Sequence, residues 1–258
     1  EPIMSDAEYD ALEDQLRQRV PDDPVLAMVG APVSGEGMLT KARHRLPMGS
    51  QTKVNSEAEF RQWYLKAGVG SLHASLKGDG ASAAAYYLDG RLVQAITRGN
   101  GTVGEDITAN ALCFKGLPAW AGTPEGGFTG AVRLEVILTI ADWAQVDPLR
   151  QKNPRNAGNG IMGRKNGHQS DLLTSYAFDI DEVRHGESVT FATERAKAQR
   201  LAELGFNLIP QQPCADAEAA VAYFIQVARE RDRLDFWIDG VVFKIDDLVR
   251  QLALGVTA

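Results

Sequence analysis

Cysteine is almost absent from this 258-residue chain, and its scarcity excludes the small cross-linked classes of protein. The two cysteines, Cys113 and Cys214, lie far apart and form no CxxC pair. Disulfide frameworks and cysteine-rich zinc centres need several cysteines at short, regular spacings. We therefore expect two inert thiols and assign no metal-ligating residues.

Long apolar runs are also missing. No stretch approaches the roughly 20 apolar residues that a helix needs to cross a bilayer. The first residues, EPIMSDAEYD, lack the basic and then apolar pattern of a secretion signal. With 44% hydrophobic and 24% charged residues the composition is typical of a folded globular protein. These features predict a cytoplasmic protein with no membrane contact.

The chain also lacks an excess of positive charge, since its formal net charge at pH 7 is -7. Affinity for nucleic acid comes largely from Lys and Arg side chains that neutralise phosphates. Two short basic clusters, KARHR (41–45) and GRKNG (163–167), are more typical of a solvated surface than of a binding site. We expect the chain alone to hold DNA weakly.

The chain divides into a short helical segment and a larger mixed domain. Ser5 and Glu8 form a capping box ahead of Leu12 and Leu16, which predicts a helix that ends near Pro21. A Pro- and Gly-rich stretch follows, and Ser56 begins a second short helix. We place a boundary near residue 45, with a helical subdomain and connector at 1–45 and the core domain at 46–258.

The core reads as an α+β domain with mainly antiparallel sheets. Segments SLHASL, ASAAAYYL, RLVQAITR, AVRLEVIL, LLTSYAFDI and VVFKI have the composition of strands. Asp89-Gly90 joins two of them and is a strong signal for a tight hairpin turn. Helices are predicted at 193–204 and 215–231. A doubly wound parallel sheet is disfavoured, since no Gly-rich strand-to-helix turn is present.

Five short motifs occur in a fixed order along the core. They are KGDG (77–80), TRGNG (97–101) with GED (104–106), RLEV (133–136), NPRNA (153–157) and IDGVVFK (238–244). Taken alone, K-x-D-G is a weak pattern that usually marks a charged turn, and TRGNG fits a tight hairpin equally well. The ordered set is far more specific.

In this order, together with SDAEYD (5–10) and HRLPMGS (44–50), the motifs resemble the adenylation domain of bacterial-type NAD⁺-dependent DNA ligases. The resemblance runs over nearly the whole chain. It implies the nucleotidyltransferase (ATP-grasp-like DNA ligase) fold, preceded by a helical subdomain that binds the nicotinamide mononucleotide (NMN) half of NAD⁺. It also implies Mg²⁺ as a cofactor, nicked duplex DNA as partner and a monomeric state.

The resemblance assigns roles residue by residue. Lys77 would be the nucleophile that becomes bonded to AMP, with Asp79 and Lys244 as its catalytic partners. The NAD⁺-binding residues would be Asp6, Tyr9, Asp10, Ser50, Gln51, Ser75, Arg98, Glu135 and Lys244. Arg155 and Arg164 would contact DNA, although Arg164 lies one residue beyond the family position.

Elementary chemistry agrees with these roles. A lysine must lose its proton before it can attack phosphorus, and a free lysine is almost entirely protonated at physiological pH. Nearby cations such as Lys244 and Arg98, or a metal ion, favour that loss. Asp79 and Glu135 would organise the ribose, the lysine or a hydrated Mg²⁺. The glycines beside Arg98 would let the backbone approach a ligand closely.

The front of the chain indicates the nucleotide donor. Asp6 and Asp10 are one helical turn apart, with Tyr9 beside them. Two carboxylates and an aromatic ring suit a cationic nicotinamide. Compensation of the helix dipole is the plainer explanation of the same acidic turn.

Several positions depart from the family pattern. Ser75 replaces a glutamate that reads the adenine edge in many members, Gly78 replaces an aliphatic residue and Leu134 replaces a glycine. The chain also stops before the last lysine motif and the DNA-binding modules, so we expect a fragment of a longer ligase or a naturally short relative. Two alternatives stay open: an ATP- or GTP-using member of the same superfamily, and a ligase-like module without catalysis.

Overall fold

The computed structural model describes residues 39–49, 52–68, 70–146 and 153–255, together with residues 12, 15, 16, 19 and 20 near the start. Two of these early residues, Leu12 and Leu16, are helical, as their spacing predicts. Within the described part of the chain, no helix is long and apolar enough to cross a membrane.

Two antiparallel sheets form the body of the domain. The larger has the strand order β10-β9-β8-β3-β4 and the smaller has the order β11-β2-β12. The strands of the larger sheet are β3 (Ala81–Leu88), β4 (Arg91–Thr97), β8 (Gly130–Leu138), β9 (Leu173–Arg184) and β10 (Glu187–Ser188). Those of the smaller sheet are β2 (Leu72–Gly78), β11 (Gln211–Cys214) and β12 (Ile238–Ile245).

Apart from the early helical residues, two short strand pairs, seven α-helices and two 3₁₀-helices, Ser170–Leu172 and Arg231–Arg233, complete the described elements. The pairs are β1 (Lys41–Arg43) with β5 (Val103–Glu105), and β6 (Gly122–Thr123) with β7 (Gly126–Gly127). The helices are α1 (Glu57–Ala67), α2 (Thr108–Ala111), α3 (Ile140–Trp143), α4 (Pro154–Met162), α5 (Glu194–Glu203), α6 (Ala217–Glu230) and α7 (Leu248–Leu254). The predicted α+β class with antiparallel sheets is confirmed.

Local signals account for most element ends. Asp89 and Gly90 both have positive φ, 47° and 83°, as the hairpin between β3 and β4 requires. The Ser56 side chain accepts a hydrogen bond from the Glu59 N–H and so caps α1. Thr193 caps α5 in the same way.

Each sheet packs one apolar face against helices, and the larger sheet also buries Tyr86 and Ile96 on its other face. The larger sheet packs its apolar face against α4 and α5, through residues such as Leu134 and Ile161. The smaller sheet packs against α1 and α6, with Leu72 and Ala74 fully buried. The two sheets meet where Lys244 on β12 bonds to the Phe178 carbonyl on β9. We call the region between the sheets that holds Lys77, Glu135 and Lys244 the cleft.

Residues near the expected domain boundary are tied to the core. Strand β1 pairs with β5, and buried His44 lies within hydrogen-bond distance of the Tyr86 hydroxyl, at 3.1 Å, and the Thr97 carbonyl, at 2.9 Å. The division at residue 45 stays a prediction, since the helical segment lies mostly outside the described residues.

Candidate active site

Lys77 lies near the end of β2, where the chain turns from the smaller sheet into the larger one. Its ammonium donates to the Asp239 carboxylate across 2.6 Å, and the two side chains are 53% and 40% exposed. Asp239 stands at an irregularity of β12, between the pairs Ile238–Gly78 and Gly240–Lys77. That local break in the ladder places a carboxylate at the reactive amine.

Asp79 follows in the turn and faces the first turn of α4. Its carboxylate accepts from the Arg155 guanidinium at 3.1 Å, and its N–H donates to the Trp237 carbonyl at 2.8 Å. Burial and the neighbouring Asp239 charge raise the pKa of Asp79, and Arg155 and Lys77 oppose the rise. Four charged groups, two of each sign, thus surround one turn.

Glu135 on β8 completes the carboxylates of the cleft. It is paired with Ser82 of β3, whose hydroxyl donates to it at 2.8 Å. Burial raises the pKa of Glu135 to about 7, against the opposing effects of the Ser82 bond and of the Lys77 and Arg155 charges. Near neutral pH this side chain can therefore either donate or accept a hydrogen bond.

Glycine is required at the end of the catalytic turn. A Cβ on Gly80 would lie 2.4 Å from the Val136 carbonyl oxygen, a backbone atom that cannot easily move. Gly78 leaves room that is filled by Ile137 and Ile209, whose methyl carbons would lie 2.5 and 3.3 Å from an added Cβ. A side chain at position 78 would therefore meet these two isoleucines.

Two further predicted residues share the cleft face of the smaller sheet with Lys77. Ser75 is paired with Val242 on one side and Gln211 on the other. Lys244 is paired with His73, four residues along β2 from Lys77. The ammonium of Lys244 bonds to Glu194 at 3.1 Å and to the Phe178 carbonyl at 3.2 Å.

Arg98 begins the glycine-rich loop after β4. Its N–H donates to the Ser82 carbonyl at 2.8 Å, which sets the loop beside β3. The hydroxyl of the same Ser82 bonds to Glu135. Gly99 and Gly101 have φ values of 52° and 85°, and a Cβ on Gly99 would clash with the Val103 carbonyl. The loop is a tight turn, and its position next to the cleft is also what a ligand-binding loop requires.

The two predicted DNA-contacting arginines differ in their surroundings. Arg155 is joined to Asp79 and so belongs to the catalytic turn. The Arg164 guanidinium bonds within its own loop, to the His168 carbonyl at 3.1 Å and the Gln169 side chain. Five predicted residues, Asp6, Tyr9, Asp10, Ser50 and Gln51, lie outside the described residues.

Asp239 was missed as a site residue by sequence reasoning. The motif IDGVVFK contains it, but only its lysine was selected. The contact joins residues 162 positions apart, and it depends on the register of β12 against β2. Register at that separation has no local signal.

The described side chains offer few groups that could bind a metal ion. In the part of the chain that the structure describes, no group of three or more His, Cys, Asp or Glu side chains is arranged to hold a metal. The carboxylates of Asp79 and Glu135 are nevertheless hard oxygen donors. Mg²⁺ needs only one or two such carboxylates when water and phosphate oxygens fill its other positions.

An exposed lysine at the end of a strand, with carboxylates around it, is the arrangement expected of a protein that forms a covalent intermediate on a lysine. The chain belongs to the NAD-dependent DNA ligase adenylation domain family, whose model matches residues 36–258.

Relatives with curated names agree. The DNA ligase of Treponema denticola is 35% identical over 261 residues, which cover 96% of this chain and 40% of that protein. The DNA ligase of Sorangium cellulosum is 35% identical over 284 residues, covering 98% of this chain and 40% of that protein. This chain thus spans about 40% of the length of these relatives. A solved Naegleria gruberi RNA ligase variant is far more distant, at 16% identity with a TM-score of 0.42 over 91% of this chain and 65% of that one.

Proposed function

We propose that Lys77 attacks the α-phosphate of NAD⁺ to form an enzyme-AMP adduct, and that the complete protein passes this AMP to the 5′-phosphate of a DNA nick. One observation carries the proposal: the Lys77 amine is exposed in the cleft and lies 2.6 Å from a carboxylate that can take its proton. Membership of the adenylation family supports NAD⁺ as the donor.

The first step balances as a phosphoryl-type transfer. The Lys77 ammonium gives up a proton, and the freed nitrogen lone pair forms a P–N bond to the α-phosphorus. The bond from that phosphorus to the bridging oxygen breaks, and NMN leaves with the electron pair. Asp239 is the nearest acceptor for the proton and holds the amine at the end of β2.

Other cleft residues would bind the adenosine and the phosphate. Burial raises the pKa of Glu135 to about 7, so its carboxyl group can donate or accept a hydrogen bond with a ribose hydroxyl. Arg98 in its glycine-rich loop would bind a ribose or phosphate oxygen, and Lys244 would donate to the α-phosphate. Ser75 lies on the same face as Lys77, where the base would pass.

Mg²⁺ would be held through Asp79 or Glu135 together with water and phosphate oxygens. When bound, it would offset negative charge that develops on the phosphate oxygens. Asp79 also has a role that needs no metal. It holds Arg155, and with it the start of α4, against the turn that carries Lys77.

The remaining roles complete the proposal. Asp6, Tyr9 and Asp10 would bind the NMN half of NAD⁺, with Ser50 and Gln51 near the adenosine. Arg155 and Arg164 would contact the nicked duplex. A monomeric state and a cytoplasmic location stay part of the same proposal.

Intact-mass measurement after incubation with NAD⁺ and Mg²⁺ tests the proposal. One added AMP on wild type, mapped to the peptide that contains Lys77 and absent from Lys77→Ala, is the expected result. Wild type that binds NAD⁺ and never gains mass would favour the ligase-like module without catalysis.

A further inference from the structure

Lys244 is surrounded by a fixed set of acceptors, and we propose that Glu194 is the positioning residue that aims it at the substrate phosphate. The inference rests on the proposed function, in which Lys244 contacts that phosphate. The ammonium has two acceptors, the Glu194 carboxylate at 3.1 Å and the Phe178 carbonyl at 3.2 Å.

Glu194 is itself buried and immobilised. It is only 4% exposed and is the first residue of α5, where its N–H donates to the Asp246 carbonyl at 2.9 Å. Its second carboxylate oxygen accepts from the Gln251 amide of α7 at 2.8 Å. The same amide donates to the Ile245 carbonyl at 2.6 Å, next to Lys244 on β12. A carboxylate held from two helices and a strand gives Lys244 a rigid anchor.

Because the ammonium is tetrahedral, anchoring two of its N–H groups also fixes the direction of the third. A lysine has three N–H donors on a flexible stem, so an unanchored amine samples many directions. Two of the three protons of Lys244 are directed to Glu194 and Phe178. The third is left for a substrate phosphate, and the side chain is 19% exposed. Fixing two directions of a tetrahedral group fixes the third, and preorganised donors are the ones that stabilise developing charge.

Nearby charges do not duplicate this role. Burial would raise the pKa of Asp179, but Lys244, Lys197 and Arg133 outweigh it and hold that pKa low. Asp179 bonds directly to Lys197 and Arg133, at 2.8 and 2.6 Å. It therefore contributes charge near Lys244, whereas Glu194 supplies the direct bond.

A double-mutant cycle in this protein tests the proposal. The variants are Glu194→Ala, Glu194→Gln, Lys244→Ala and the Glu194→Ala/Lys244→Ala pair. The measurements are the single-turnover rate of Lys77-AMP formation at saturating NAD⁺, the NAD⁺ concentration giving half that rate, and the melting temperature. Glu182→Ala is the matched control, because Glu182 is a buried carboxylate that binds Arg200 of α5 and contacts neither Glu194 nor Lys244.

We expect Glu194→Ala to lower the maximal rate by about tenfold or more, since small misplacements of a catalytic group are costly. The half-saturating NAD⁺ concentration should change by less than about threefold. Glu194→Gln, which keeps an acceptor oxygen, should recover much of the rate. In the Lys244→Ala background, Glu194→Ala should cause no further loss.

Equal losses from Glu194→Ala in both backgrounds, or an equal loss from Glu182→Ala, would overturn the positioning role and leave the proposed function intact. A Lys244→Ala variant as fast as wild type would instead remove the phosphate contact assumed for Lys244. Failure of wild type to form any adduct would refute the proposed function itself.

Discussion

At the scale of single residues, the pair of Lys77 and Asp239 is the centre of the account. The Asp239 carboxylate stabilises the protonated amine of the resting site, and the same 2.6 Å contact provides the acceptor when that proton leaves. Because both side chains are about half exposed, the ion pair itself adds little to stability. The contact therefore matters for proton transfer and not for stability.

Asp239→Asn should therefore slow adenylation without unfolding the domain. An amide cannot take the proton, so we expect the single-turnover rate to fall by about two orders of magnitude or more. Asp232→Asn, at an exposed carboxylate away from the cleft, is the control and should react like wild type. An Asp239→Asn rate close to wild type would show that another group accepts the proton.

Glu135 predicts a dependence of stability on pH. Burial raises its pKa from 4.5 to about 7, so the folded state binds a proton that the unfolded state releases between these values. The sign follows: its contribution to stability is present below pH 4.5 and is lost as pH rises through 7. Glu135→Gln removes the titration. Relative to wild type it should gain roughly 2 to 3 kcal/mol in free energy of unfolding between pH 5 and pH 8.

Denaturant unfolding of both proteins at these two pH values, without Mg²⁺ or nucleotide, measures the difference. Glu187→Gln, at an exposed strand end, is the control, and its difference in free energy of unfolding from wild type should be the same at both pH values. A stability difference for Glu135→Gln that does not change with pH contradicts the assignment.

At the scale of elements, β2 and the turn after it position the nucleophile. The strand is central in the smaller sheet, and its apolar side chains are buried against α1 and α6. Gly80 ends the turn directly before β3, and the Val136 carbonyl of β8 lies against it. The precision of the site thus depends on a glycine that allows two backbones to approach closely.

Glycines at the two ends of β2 should respond differently to alanine. Gly80→Ala forces a Cβ against the Val136 carbonyl and should lower the free energy of unfolding by roughly 1 to 3 kcal/mol. Gly70→Ala meets nothing within 4 Å and should be neutral or slightly stabilising. Thermal or urea unfolding of both variants decides. Equal stabilities would mean that the turn relaxes at no cost.

The same elements show what sequence reasoning could reach. Caps and the Asp89-Gly90 turn act within a few residues, so strands β2, β3, β4, β8, β9 and β12 and helices α1, α5 and α6 were predictable, whereas the short strands β10 and β11 were missed. The contacts of Lys77 with Asp239 and of Lys244 with Glu194 join residues 162 and 50 apart. They depend on strand register and helix packing, which no local pattern encodes.

At the scale of the whole molecule, charge limits what the chain can bind. The formal net charge is -7, and of the two proposed DNA-contacting arginines Arg155 is paired with a carboxylate. Counterion release, the main source of affinity for DNA, would be small.

A gel-shift titration of this chain with nicked duplex at physiological salt should show little or no complex. Intact duplex of the same sequence is the control and should behave alike. Tight binding that survives raised salt would mean that the chain carries a DNA-binding surface that its charge does not predict.

The central claim is that Lys77 is adenylated from NAD⁺, and the intact mass of the protein after incubation with each donor tests it most directly. Wild type with NAD⁺ and Mg²⁺ should gain one AMP, mapped to Lys77, and should gain none from ATP. Lys77→Ala and Lys77→Arg should stay unmodified, because neither side chain can supply a neutral amine. AMP on a different lysine, or equal labelling from ATP, would contradict the account.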